Sequence, residues 1–157
     1  MNILLVDDDA DCLEELACIL APAGHQYEQF TVPEKALECY GQKQYDMVIT
    51  DMKMPRLSGI DVLKKVLSIN PKAVVVIITG FAEIETAIAA LNSRAYALLE
   101  KPVAKEHLIE ILEKAEAELF EQKKAAVEHS QLVKEHKYLK EVCQTLVNLY
   151  RVEYRDL

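Results

Sequence analysis

Asp7, Asp8, Asp9 and Asp11 crowd four carboxylates into five positions, directly after the aliphatic run Ile3-Leu4-Leu5-Val6. A fifth acid, Asp51, follows a second apolar run, Met47-Val48-Ile49, closed by Thr50. Like charges this close repel each other, so the crowding calls for an offsetting partner. Carboxylates gathered from two chain segments offer hard oxygen ligands, and Mg²⁺ is a cation suited to them. Asp9 and Asp11 also have a plainer reading, because an acid at the start of a helix meets a favourable dipole and needs no site. Two further polar groups stand in comparable places: Thr79 closes an Ile/Val run, and Lys101 follows another short apolar stretch.

What these residues share is a position at the end of a strand. Five short runs, residues 2–6, 26–31, 46–50, 73–79 and 95–100, read as buried strands. The first and fourth are nearly continuous in Ile, Leu and Val, the pattern of parallel strands covered on both faces. In an open parallel sheet, sites form beyond the carboxyl ends of the strands. Asp7, Asp8, Asp51, Thr79 and Lys101 all fall there, whereas Asp46 begins its strand and does not.

Helical spacing fills the gaps. Leu13, Leu16, Ala17 and Leu20 lie on one stripe, with Gly24 as a stop. Pro33 suits the first turn of a second helix carrying Ala36, Leu37 and Tyr40. Ser58 or Gly59 opens a third, with Val62, Leu63, Val66 and Leu67, ended by Asn70-Pro71. A fourth holds Ile84, Ile88 and Leu91. Alternation with links this short predicts an α/β fold: a doubly wound parallel sheet.

From Ala104 the character changes, and the last 54 residues contain no Gly or Pro. Leu108, Leu112, Ala115, Leu119, Ala126 and Val133 follow a four-three spacing. Leu132, Leu139, Val142, Leu146 and Leu149 repeat it one position out of phase. The first turns close the α/β core as a fifth helix, and the rest forms a long C-terminal helical extension. The phase change near residues 125–131 allows either one long helix or a helix–turn–helix. With nothing in the domain left to cover its stripe, the extension is expected to pair with a second copy, giving a homodimer. The chain ends at Arg155-Asp156-Leu157 without a stop signal, so a further domain is expected to follow. The domain reading is therefore 1–118 for the α/β domain and 119–157 for a helical, coiled-coil linker.

Composition narrows the function classes. A formal charge of −8 over 157 residues argues against nucleic-acid binding by this chain, which wants a clustered basic surface. The longest apolar run, residues 73–78, is too short to cross a bilayer, so no membrane association is expected. Met1 leads straight into a strand without a charged leader, and Cys12, Cys18, Cys39 and Cys143 show neither C-x-x-C pairing nor a companion His at metal spacing. Reduced cysteines in a cytoplasmic protein, three of them on helices, are the simplest reading.

Four ordered elements, "VDDD" at 6–9, "VITDMKMPRLSG" at 48–59, "VVVIITG" at 74–80 and "LLEKP" at 98–102, resemble the receiver domains of two-component response regulators. The resemblance covers residues 1 to 118. It implies a five-stranded sheet of order 2-1-3-4-5 and a phosphoryl group accepted on Asp51 from a histidine kinase or phosphotransfer protein. It also implies Mg²⁺ held by Asp8 and Asp51, with Asp7 acting largely through water and the Lys53 backbone carbonyl as a further ligand. Thr79 matches the phosphate-sensing hydroxyl and Lys101 the lysine beside the phosphoacceptor, and Lys101-Pro102 resembles the family's cis peptide. Gly80 leaves room for a phosphoryl oxygen. Such a domain catalyses its own phosphorylation and slow hydrolysis but is no enzyme with a separate substrate, and it relays its state through the face of the fourth helix, fifth strand and fifth helix.

One position departs from the family pattern: Leu98 stands three residues before the lysine, where an aromatic often sits, and Tyr96 lies two residues earlier. Leu98, or movement of the segment after Thr79 with Phe81, is expected to take over its switching role. Other chemistries fit less of the chain. Asp7, Asp9 and Asp11 match the first ligands of a calcium loop, but Cys12 and Cys18 stand where Gly and Glu are needed. A haloacid-type phosphatase wants Thr or Val at Asp11 and leaves the Asp51 motif unexplained. His129 and His136 lack the sequences that follow phosphotransfer histidines. A receiver-shaped interaction module that never takes phosphate is the remaining alternative.

Overall fold

The computed structural model describes residues 1–80 and 84–153, apart from the side chains of 86 and 149–153. Phe81, the Leu149 side chain and residues 155–157, all invoked above, lie outside the described set. The chain divides into two compact units, Met1–Glu116 and Ala117–Leu157.

In the first unit strands and helices alternate: β1 (Asn2–Val6), α1 (Ala10–Leu20), β2 (Gln26–Phe30), α2 (Pro33–Gln42), β3 (Met47–Asp51), α3 (Gly59–Ile69), β4 (Val74–Thr79), α4 (Ile84–Asn92), β5 (Ala97–Glu100) and the first turns of α5 (Lys105–Glu153). The strands are all parallel in the order β2-β1-β3-β4-β5. Leu4, Val6, Val48, Val75 and Ile77 join one buried cluster with Ala36 and Tyr40 of α2, Val62, Leu63 and Val66 of α3, and Ala90 of α4. Because side chains alternate along a strand, Ile3, Leu5, Ile49 and Ile78 turn to the other face. The buried residues left to meet them are Leu13, Leu16 and Leu20 of α1 and Leu108, Leu112 and Ala115 of α5. Each aliphatic side chain buried in this way contributes about 1.5–3 kcal/mol. Two covered faces are thus the reason for continuous rather than alternating apolar runs.

Local signals set most of the boundaries. Asp9 caps α1, its carboxylate accepting from the Asp11 N–H at 3.0 Å. Ser58 and Asp61 form a reciprocal capping box at the start of α3, and Pro33 opens α2. Gly24 does not end α1 directly. The helix stops at Leu20, and Gly24 takes a φ of +78° in the turn that follows.

The fourth helix forms, but its stripe faces the other way. Ile84, Ile88 and Leu91 are 78%, 51% and 73% exposed, while Ala90 is buried. Helical spacing identifies a face without saying which way it points. Here the small Ala90 side chain sits against the sheet, and the bulky residues are left outside.

In the second unit α5 runs without interruption through residues 125–131, so the helix–turn–helix is not what forms. Described side chains from 120 to 148 are exposed, His129 and His136 included. No helix among the described residues is long and apolar enough to cross a membrane. All four cysteines are free, and all four, not three, lie on helices.

Strand register is what assembles the polar residues. Val6 pairs with Thr50, Asp51 with Ile78, and Thr79 with Glu100. The residues that end or follow those strands, Asp7, Asp51, Thr79 and Lys101, are therefore brought to one edge of the sheet.

Candidate functional site

Lys101 stands at the centre of that edge. Its Nζ lies 2.7 Å from Asp7 Oδ2 and 2.7 Å from Asp51 Oδ1, so one ammonium joins the ends of β1 and β3. The backbone aims it there: the Lys101 N–H donates to the Thr79 carbonyl at 2.8 Å, extending the β4–β5 ladder by one residue. The peptide bond to Pro102 is cis. Asp7, Asp51 and Thr79 are all buried. The second Asp51 oxygen, Oδ2, accepts from the Lys53 N–H at 2.6 Å, and Asp7 Oδ1 accepts from the Asp9 N–H at 2.9 Å. Both carboxylates are thereby held in fixed orientations.

Charge balance follows the geometry. Burial pushes the Lys101 ammonium toward neutrality, but hydrogen bonds to Asp51 and Asp7 outweigh it and hold its pKa above the ordinary lysine value. The ammonium is therefore fully charged at neutral pH. Asp9 is held below the usual carboxylate range, first by the Asp11 N–H and then by the Cys12 thiol. That is the plain capping role expected for an acid at the start of a helix.

Asp8 is placed differently from its neighbours. It is exposed and lines a hollow of about 250 Å³ with Thr31, Glu34, Pro55 and Arg56. Among the described residues no three His, Cys, Asp or Glu side chains are drawn together tightly enough to cage a metal. The donor set nonetheless fits magnesium. Mg²⁺ keeps most of its water and is usually held by one or two carboxylates, so a closed three-acid cage is not required. Asp7, Asp8 and Asp51 supply hard oxygens from the ends of two adjacent strands. Among the described residues, nothing lies within 4 Å of a methyl group added at Gly80.

Two features of the site escaped the sequence. Cys12 lies close by, its thiol 3.5 Å from Asp9 Oδ2, and it shares a hollow of about 350 Å³ with Asp7 and Lys101. Its position in the first turn of α1, next to an N-cap, was the available signal. Gly59 is packed directly against the Asp51 carbonyl. Leu98 packs against the buried cluster that contains Ala90. Tyr96 is half-buried, with Lys114 Nζ 6.0 Å from its ring centre.

Comparison with known proteins places these features in a family. The sequence pattern of the response regulator receiver domain matches residues 3–113. The chain is 35% identical over 115 residues to the transcriptional regulatory protein ZraR of Salmonella typhimurium, an alignment covering 73% of this chain and 26% of that protein. The chain thus spans about a quarter of that curated relative. Among solved structures, a receiver domain protein from Clostridium thermocellum superposes with a TM-score of 0.69 at 33% identity, covering 73% of this chain and 92% of that one. NtrX from Brucella abortus, solved with ADP, gives 0.71 at 31% identity, covering 78% of this chain and 28% of that one. On the match across residues 3–113, carried by the same five-stranded order, this chain belongs to the response regulator receiver domain family.

Proposed function

We propose that Asp51 is the phosphoacceptor, taking a phosphoryl group from a phosphohistidine of a histidine kinase or phosphotransfer protein. The observation that carries this is the Lys101 ammonium 2.7 Å from both Asp51 and Asp7. A carboxylate is a poor nucleophile toward a donor whose own charge repels it, and a fixed cation beside it relieves that repulsion. An Asp51 oxygen forms the new P–O bond as the P–N bond to the donor imidazole breaks. Lys101 offsets the charge on the phosphoryl oxygens, Thr79 donates its hydroxyl to one of them, and Gly80 leaves space for their approach.

Receiver domains generally use Mg²⁺ at the phosphorylation site. Here Asp8 and Asp51 would bind it directly, Asp7 through water, and the Lys53 carbonyl would complete the protein ligands. When bound, it supplies further neutralisation of the phosphoryl charge. The chain acts only on itself, phosphorylating and slowly dephosphorylating Asp51, and has no separate substrate.

In this reading residues 1–118 form the receiver and 119–157 a linker, which forms a homodimer with its own copy and leads to an output module. The ZraR likeness makes a transcriptional regulator the natural setting, with this chain in the cytoplasm and itself making no contact with nucleic acid. The acyl phosphate adds about two negative charges at neutral pH, by analogy with other phosphorylated side chains. That local change biases the α4–β5–α5 face.

Acetyl phosphate or phosphoramidate with Mg²⁺ should raise the intact mass by one phosphoryl group, and Asp51→Asn should abolish the gain. No gain with any donor would reduce the protein to a receiver-shaped interaction module. Phosphomonoester turnover lost in Asp9→Asn but kept in Asp51→Asn would point instead to the haloacid-type phosphatase.

A further inference from the structure

Thr50 puts a hydroxyl into the apolar interior one residue before Asp51. It is 0% exposed, and its ladder neighbours are Val6 on β1 and Ile77 on β4, both in the buried cluster with Val62 and Leu63. Val would fill the same volume there, and a hydroxyl among apolar groups is destabilising unless it is hydrogen-bonded. Thr50 Oγ1 meets that need by donating to the Asp51 carbonyl oxygen at 3.2 Å. That carbonyl shares a peptide with the Met52 N–H, which donates to the Ile78 carbonyl at 2.7 Å. The Asp51–Met52 peptide is thus held at both ends. Because a peptide is planar, fixing its oxygen and its N–H fixes the direction in which the chain leaves β3. One residue further on, the Lys53 N–H donates to Asp51 Oδ2 at 2.6 Å and orients the carboxylate.

We propose that Thr50 is a positioning residue for phosphoryl transfer. Its hydroxyl fixes the Asp51–Met52 peptide, which fixes the Lys53 N–H and through it the Asp51 carboxylate. The proposal rests on the reading above, in which Asp51 is the phosphoacceptor. Thr50 acts on angle rather than on charge, since it meets neither the donor nor the phosphoryl group. A carboxylate oxygen must reach phosphorus roughly in line with the breaking P–N bond, and small errors of placement cost rate steeply. Without the hydroxyl, the Asp51 carbonyl loses a donor and the peptide is free to tilt. The Lys53 N–H then moves off Oδ2, and the carboxylate samples angles that do not react.

Two pairs of side chains in the full chain isolate the hydroxyl. The parental Thr50 and Thr50→Val differ by it at one size, and Thr50→Ser and Thr50→Ala differ by it at a smaller one. Thr50→Val should slow phosphoryl uptake from phosphoramidate with Mg²⁺ by about three- to tenfold, the rate equivalent of one neutral hydrogen bond. Its unfolding midpoint should not fall, because Val suits the apolar surroundings. Thr50→Ser should stay within about twofold of the parent, and Thr50→Ala should be about three- to tenfold slower than Thr50→Ser. The NMR shift of the Lys53 amide proton supplies a readout that packing alone would not move. It should shift upfield in Thr50→Val as the bond to Asp51 lengthens, and Thr50→Ser should restore it. The Thr50→Ser and Thr50→Ala pair keeps the comparison open if Thr50→Val fails to fold. Rates that follow side-chain size, with Thr50→Val parental and Thr50→Ser as slow as Thr50→Ala, would overturn the proposal. So would a parental rate and Lys53 shift in Thr50→Val, and either result would leave Asp51 as the phosphoacceptor. A parent chain that takes up no phosphoryl group would overturn both this proposal and the phosphoacceptor reading beneath it.

Discussion

Gly59 and Asp51 touch through their backbones. A methyl group on Gly59 would overlap the Asp51 carbonyl oxygen and lie 3.1 Å from the Asp51 carbonyl carbon and from Met52 Cα. The Gly59 N–H also donates to the Met52 carbonyl at 3.0 Å, so the start of α3 is seated against the end of β3. None of the crowding atoms is a flexible side chain, and relief requires the backbone to move. Gly59→Ala should therefore cost about 1–3 kcal/mol in thermal unfolding and slow phosphoryl uptake by displacing Asp51. Gly41→Ala is the contrasting case. It lies in α2 with nothing within 4 Å of the new methyl, so it should gain about 0.5–1 kcal/mol.

Lys101 separates two buried acids, and its removal leaves them facing each other. Breaking a fully buried pair costs about 3–5 kcal/mol, but the Lys101 side chain is 25% exposed and screening lowers that figure. Lys101→Met should cost about 1–3 kcal/mol in Mg²⁺-free unfolding. Mg²⁺ should recover more stability in this variant than in the parent. Asp7→Asn added to Lys101→Met should be less damaging than the two single effects together, because one of the facing charges is gone. The pH dependence has a definite sign. The folded Lys101 pKa is raised above the ordinary lysine value of 10.5, so its stabilisation is fully present below about that pH and is lost only as pH rises through the folded value. Between pH 6 and 9 the difference between parent and Lys101→Met should stay flat with respect to this lysine's own titration.

The α4 stripe shows where sequence reading stops. Apolar runs locate strands because a run has no direction to misjudge, and strand ends then place Asp7, Asp51, Thr79 and Lys101 on one edge. An amphipathic helix leaves a rotational choice open. Around α4 that choice is decided by space above the sheet, which takes the small Ala90 and leaves Ile84, Ile88 and Leu91 outside. The outward turn of Asp8 and the contact between Gly59 and Asp51 were unreadable for a related reason, since both depend on how loops fold over strand ends. Ile88→Lys should accordingly change stability by less than about 0.5 kcal/mol, as for other surface sites. Ala90→Leu should cost about 1–3 kcal/mol by overpacking. Denaturant unfolding of the two variants checks the order. If Ile88→Lys proved the more damaging, the orientation of α4 would be wrong.

The C-terminal stretch poses the opposite problem, a stripe with no sheet to cover it. Leu132, Leu139 and Leu146 recur every seventh residue with Val142 between the last two, and the three leucines are about 60% exposed. Spacing of this kind forms a seam when two helices supercoil, each leucine entering a gap on its partner. Full burial of a leucine is worth about 1.5–3 kcal/mol, so three pairs of them outweigh the loss of freedom on association only if the seam forms along its whole length. Glu135 falls on the same seam and opposes it, which predicts a dimer of moderate rather than extreme affinity. Light scattering should give a dimer mass at tens of micromolar, and Leu139→Lys with Leu146→Lys should give a monomer. Because these side chains make no part of the α/β core, the double variant should keep its unfolding midpoint in the receiver and its phosphoryl uptake on Asp51. A parent chain that stays monomeric at high micromolar concentration would remove the homodimer from the proposed function and leave the stripe to a different partner.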